Sequence, residues 1–153
     1  GQDKRYHHAR LGLTGRLDTL QAAVLLAKLA IFPEEVELRA RIGARYSERL
    51  AAAGIQVPRI VEGNTSVYAQ YTIEVDDRDR VAERLQAAGI PTAIHYPIPL
   101  HRQPAYANRV TVPRAGLPNA ERAAARVLSL PMHPYLSEAE QDRVIDAVVA
   151  AVA

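Results

Sequence analysis

The sequence predicts an α+β domain in which a long helical lead-in precedes a small, mostly antiparallel sheet with helices packed on one face. Three observations carry this. Leu17, Leu20, Val24 and Ala27 recur at helical spacing, and a second apolar stripe, Val36, Ala40, Tyr46 and Leu50, follows Pro33. Residues 67–75 alternate, with Val67, Tyr71, Ile73 and Val75 on one face, as a half-buried strand does. From there the pattern runs strand, helix, strand, helix, strand, helix, an order that closes into one sheet covered by helices.

Asp18 stands near the start of the first helix, which is expected to run to about Ile31. Pro33 would cost a hydrogen bond inside that helix but suits the first turn of the next, where Glu34 and Glu35 meet the positive end of the dipole. Glu35–Arg39 and Glu37–Arg41 are supporting pairs four apart, and Gly54 is placed to end the helix. After the alternating strand, Asp76-Asp77 reads as a turn and cap. Val81, Leu85 and Ala88 define a helix closed by Gly89.

Residues 90–96 read as a second strand. A loop punctuated by Pro97, Pro99, Pro104, Pro113 and Pro118 follows, too long for a simple turn and of the kind that carries function or packs on a partner. Asn119 can cap a helix through Val127, and Leu128-Ser129-Leu130 is a short strand. Ser137 and Glu140 have capping-box spacing before a last helix whose apolar positions are Val144, Ile145, Val148 and Val152.

Composition narrows the function classes. The 153 residues are 48% hydrophobic and 24% charged, a globular balance. No apolar run approaches the roughly 20 residues that span a bilayer, so no membrane partner is expected. The chain has no cysteine, which rules out disulfides and thiolate metal sites and agrees with a cytoplasmic location. The net charge is +2, its basic residues are interleaved with acids, and aromatics are 5%, so no nucleic-acid partner is expected either. His7, His8, His95, His101 and His133 lack metal-ligand spacing, and no metal is expected. The chain opens Gly1-Gln2-Asp3-Lys4, polar and without methionine, and runs straight into a structured pattern, as the interior of a longer protein would.

Three segments have residue types that simple core duty does not explain. In 6–18, which opens Tyr6-His7-His8, two glycines flank Thr14 and precede Arg16 just ahead of a helix. That arrangement can present donors to an anion, or serve only to steer the chain into the helix. In 92–101, His95 and Tyr96 end a strand and are held by Pro97 and Pro99. An imidazole there can donate to a phosphate or a sugar hydroxyl, or it can satisfy a backbone carbonyl in a packed loop. In 129–136, His133 lies between two prolines, and the run reads as structural, preparing the last helix. No Ser-His-Asp order, glycine-rich phosphate loop or paired carboxylates are present.

Read together, these segments resemble the DegT/DnrJ/EryC1/StrS family of pyridoxal-phosphate sugar aminotransferases. The phrases that carry the resemblance are Lys4-Arg5-Tyr6-His7-His8, the run from Arg16 to Ala23, Gln70-Tyr71-Thr72-Ile73, the run from Gly89 to Leu100 with its His-Tyr-Pro, and Leu128-Ser129-Leu130-Pro131-Met132-His133-Pro134. The resemblance implies the C-terminal small domain of a fold-type I aminotransferase. Residues 1–54 are then a helical lead-in from a large domain, and residues 55–153 a small α/β domain.

The resemblance further implies a homodimer with a shared active site. Pyridoxal 5′-phosphate is bound mainly by the large domain, glutamate donates the amino group, and a nucleotide-linked keto sugar, flavoured as UDP-linked and destined for cell-surface polysaccharide such as lipopolysaccharide, accepts it. Lys4 and Lys28, the only lysines, do not sit in the family's Schiff-base phrase. No catalytic residue is therefore assigned to this chain, which alone is expected to be inactive.

Thr14 stands where the family has an asparagine that reaches the neighbour's cofactor phosphate, and Arg16 matches as the stronger anion contact. His95 and Tyr96 match the pair expected to touch the nucleotide sugar, with Arg16 also at that substrate. Two other readings stay open at this stage. One is a related dehydratase with histidine in place of the lysine, and the other is a non-catalytic binding or dimerisation module.

Overall fold

The computed structural model describes residues 1–13, 15–107 and 109–153. A short hairpin, β1 (Gln2–Lys4) and β2 (His7–His8), opens the chain. Helices α1 (Thr19–Leu29) and α2 (Phe32–Ala52) follow, then β3 (Tyr71–Glu74), α3 (Arg78–Ala87), a 3-10 turn at Leu100–Arg102, α4 (Pro118–Arg126), β4 (Val127–Leu130) and α5 (Glu138–Val152). All described strand pairings are antiparallel, so the α+β class read from the sequence is the class observed.

β3 and β4 pair Tyr71 with Leu130 and Ile73 with Leu128, and all four side chains are buried. Their face meets Tyr46 and Leu50 of α2, Val81 and Leu85 of α3, and Val144, Ile145 and Val148 of α5 in one apolar cluster. Because side chains alternate across a strand, the intervening pair Thr72–Ser129 points to the opposite face. Polar ties fix the helices. The buried Gln141 amide donates to the Ile42 carbonyl at 2.7 Å and accepts from Arg45, while Asp142 takes both Arg45 and Arg49 at 2.7 Å. Tyr46 donates to the Pro131 carbonyl, and Tyr71 shares a 2.8 Å hydrogen bond with Ser47. Burial pushes both phenols up, Tyr71 to about 12.

Most expected boundaries hold. The Asp18 carboxylate accepts from the Gln21 N–H, Pro33 sits in the first turn of α2, the Ser137–Glu140 capping box forms, and Gly54 and Gly89 adopt the positive φ that closes their helices. Five expectations change. The strand over 67–75 shortens to 71–74: Tyr68 turns to φ 44°, and Arg39 takes the carbonyls of Val67, Tyr68 and Ala69, leaving them no ladder to join. Residues 90–96 make only one bridge, Ala93 to Ser129, since Pro91 and Pro97 lack the N–H a ladder needs. Asn119 does not cap α4, because Pro118 already occupies its first position, where a missing N–H costs nothing.

In α2, Ala40 is exposed and Val36 half-buried. The buried stripe is Ile42, Gly43, Tyr46 and Leu50, because only the second half of the helix reaches α5 and the sheet. The expected Glu35–Arg39 and Glu37–Arg41 pairs also give way. Glu35 instead meets Lys28 and accepts from the Tyr135 hydroxyl at 2.8 Å, and Arg39 is spent on carbonyls. α1 has no buried residue. Leu20, Val24, Leu25, Leu26 and Leu29 are all exposed, continuous with Ile31 and Phe32.

Candidate functional site

A cleft of about 990 Å³ opens beside the sheet. Tyr6 and His8 of the hairpin form one wall, His95 and Tyr96 another, and the proline-rich loop with α4 supplies an apolar floor that includes Ile98, Leu117 and Ala123. The hairpin had no precedent in the apolar pattern, since its residues are mostly polar.

His95 is fixed from behind. Its Nδ1 lies 2.9 Å from Ser129 Oγ, which lies 2.8 Å from Thr72 Oγ1. Ser129 is buried, and its backbone exchanges both hydrogen bonds with Ala93, two residues before His95. Three chain segments thus converge on one ring nitrogen, and Nε2 makes no hydrogen bond among the described residues. An imidazole anchored at Nδ1 can offer Nε2 as donor or acceptor, because either hydroxyl of the pair can reverse its proton.

The rings line up. Tyr96 meets His95 edge-on at 5.4 Å and Tyr6 edge-on at 5.8 Å, both favourable geometries for aromatic pairs. The His95–Tyr96 peptide is cis. Arg5 lies 4.8 Å from the Tyr6 ring centroid and donates to its hydroxyl.

Two further contacts shape the cleft. Gln103, buried at 4% exposure, accepts from the His8 N–H and donates to the Tyr6 carbonyl, both at 3.0 Å. Glu121 of α4 meets His101 at 3.1 Å and Arg102 at 2.8 Å, tying the 3-10 turn to the helix, and these partners hold its carboxyl below the usual range.

The residues singled out from the sequence therefore separate. His95 and Tyr96 lie together in the cleft. Arg16 is exposed outside any regular element, makes no hydrogen bond among the described residues and is not among those lining the cleft. Thr14 lies outside the described residues. Sequence reasoning assigned no site role to Ser129, Thr72, Tyr6 or Gln103, although Tyr6 lies in a segment it singled out. A serine between two leucines in a short strand was the available signal for Ser129, whose run read as purely structural. Gln103 gave none.

Over nearly its whole length the chain is similar to known proteins. The DegT/DnrJ/EryC1/StrS aminotransferase family matches residues 1–149, and the chain belongs to that family. It is 55% identical over 139 residues to the UDP-2-acetamido-2-deoxy-3-oxo-D-glucuronate aminotransferase of Pseudomonas aeruginosa, covering 91% of this chain and 38% of that protein. It is 40% identical over 149 residues to the dTDP-3-amino-3,4,6-trideoxy-α-D-glucose transaminase of Streptomyces venezuelae, covering 97% and 39%. Among solved structures, a DegT DnrJ EryC1 StrS aminotransferase from Brucella abortus superimposes with a TM-score of 0.83 at 48% identity, over 99% of this chain and 40% of that one. The chain spans about 40% of the length of these relatives.

The family depends on pyridoxal 5′-phosphate. The described residues do not make a complete site for it. No lysine or arginine lines the cleft, and both lysines are exposed, Lys28 being engaged with Glu35. Among the described residues the cleft offers no amine for a Schiff base and no lysine or arginine for a phosphate.

Proposed function

We propose that this chain is the C-terminal portion of a pyridoxal-phosphate-dependent aminotransferase that moves an amino group from glutamate to a nucleotide-linked keto sugar, with UDP as the nucleotide, in cytoplasmic steps of cell-surface polysaccharide synthesis. The 55% identity to a UDP-sugar aminotransferase carries the reading. The Schiff-base lysine belongs to the remainder of the protein, and these residues alone do not transaminate. Residues 1–54 serve as the lead-in and 55–153 as the small domain, with the second half of α2 packed into the small domain's core. The bare apolar face of α1 supports burial against the large domain or the second subunit of a homodimer.

In this reading the chain's own residues bind and orient; they do not react. His95 Nε2 hydrogen-bonds the nucleotide sugar, and its Nδ1 anchor keeps the ring from turning away. Tyr96, 59% exposed, adds a flat face and a hydroxyl to the same ligand. Thr14 and Arg16 serve as contacts for the cofactor phosphate, with Arg16 the permanent charge and able also to meet the substrate.

The test is made on the full-length protein, with glutamate and a panel of UDP-linked keto sugars, following 2-oxoglutarate. Amination of at least one is expected. His95→Ala should raise KM for that sugar about tenfold, the worth of one hydrogen bond to a charged or strongly polar group, with the cofactor absorption spectrum unchanged. Sugar dehydration without 2-oxoglutarate would overturn the reading in favour of the related dehydratases.

A further inference from the structure

We infer that Gln103 is a positioning residue for the nucleotide-sugar cleft: its buried amide clips the N-terminal hairpin to the proline-rich loop and thereby holds Tyr6 edge-on to Tyr96. The inference rests on the function proposed above, because it assigns a role within that site.

Gln103 leaves the 3-10 turn with its side chain directed under the hairpin. Both halves of its amide are used, Oε1 on the His8 N–H and Nε2 on the Tyr6 carbonyl, each at 3.0 Å. The backbone continues the clip, with the Ala105 N–H donating to the His8 carbonyl at 3.0 Å. One side chain therefore joins the two ends of a three-residue span separated from it by more than ninety positions in the chain.

That span needs holding. β1 and β2 pair over very few residues and with a shifted register, and an isolated hairpin of this size is at best marginally stable. Tyr6 at its tip has φ 62°, a conformation that a non-glycine residue adopts at a cost and keeps only where surrounding contacts over-determine it. Gln103 supplies that determination from a nearly water-free position, where a hydrogen bond lost is not replaced by solvent. The consequence is the ring row Tyr6–Tyr96–His95: Tyr96 is braced on one side by His95, itself anchored to Ser129, and on the other by Tyr6, held by Gln103. Only the first brace comes from the sheet.

Gln103→Leu keeps the volume and removes both bonds. Gln103→Glu keeps the acceptor for His8 and sets an oxygen against the Tyr6 carbonyl. Tyr6→Asn removes the ring while suiting the positive φ, and leaves the backbone bonds of the hairpin in place. In the full-length enzyme, all three should raise KM for the keto sugar about five- to tenfold. The half-reaction with glutamate, read from the cofactor absorbance, should change less than about twofold. Hydrogen exchange of the His8 and Ala105 amides should quicken about tenfold or more in Gln103→Leu, which removes the His8 acceptor.

An equal fall in both half-reactions, or an unchanged sugar KM in Tyr6→Asn, overturns the inference. So does unchanged exchange at His8 in Gln103→Leu. A wild-type enzyme that aminates no nucleotide keto sugar sinks the proposed function instead, and the exchange measurement still decides whether Gln103 holds the hairpin.

Discussion

Ser129→Ala isolates the coupling between the sheet and the cleft. The substitution deletes one oxygen from a buried position and leaves the β4 backbone and its bridge to Ala93 intact. Two hydrogen bonds vanish, one 2.8 Å to Thr72 and one 2.9 Å to His95. At roughly 0.5–1.5 kcal/mol net for each bond, the loss of stability should be about 1–3 kcal/mol. The functional cost is separate. His95 loses the partner that selects one ring orientation, so part of the binding energy of its Nε2 is spent on ordering the ring. About 1 kcal/mol of that loss is a fivefold rise in KM for the nucleotide sugar. Steady-state kinetics at fixed saturating glutamate measures it. Thr72→Val is the control: it removes the outer hydroxyl, keeps the Ser129–His95 bond, and should destabilise while moving KM less than about twofold. If Ser129→Ala leaves KM unchanged while His95→Ala raises it, the anchoring argument is wrong.

Gly43 lies inside α2, where alanine would normally gain about 1 kcal/mol of helix propensity. Here a Cβ would intrude on the Tyr68 ring, and overpacking of that kind costs roughly 1–3 kcal/mol, so Gly43→Ala should lower the urea midpoint of the full-length protein. A raised midpoint would show that the ring moves aside freely. Asp142 is held below its ordinary value of 3.8 by hydrogen bonds from Arg45 and Arg49. A carboxyl depressed on folding contributes stability above its unfolded value and loses it as pH falls through the folded one. Asp142→Asn should therefore destabilise at pH 7, with the difference from wild type shrinking below about pH 4; a gap that persists into acid would assign the contact to packing rather than charge.

Much of the fold was legible because periodicity and capping are local. Asp18, Pro33, Gly54, Gly89 and the Ser137–Glu140 box act within one turn of themselves, and each marks its helix boundary as read. The shortened strand is an error that a distant group caused. Arg39, from α2, takes three carbonyls that the alternating pattern of 67–75 would have given to a ladder. The 90–96 segment has the apolar character of a strand, yet its flanking prolines limit it to one bridge. His95 and Tyr96 stood out because a histidine and a tyrosine locked by prolines are poor core residues, and they do line the cleft.

By itself, the sequence determined the class of the domain, the position of nearly every helix, and a family resemblance strong enough to name the chemistry of the relatives. These follow from short-range rules and from ordered phrases along the chain. The tertiary structure alone decided which polar residues support the cleft. Ser129 meets His95 only because β4 pairs beside Ala93, and Gln103 reaches Tyr6 and His8 across 97 and 95 positions. A buried hydrogen bond is specified by where two groups end up, and nothing in the local pattern of either partner encodes the other.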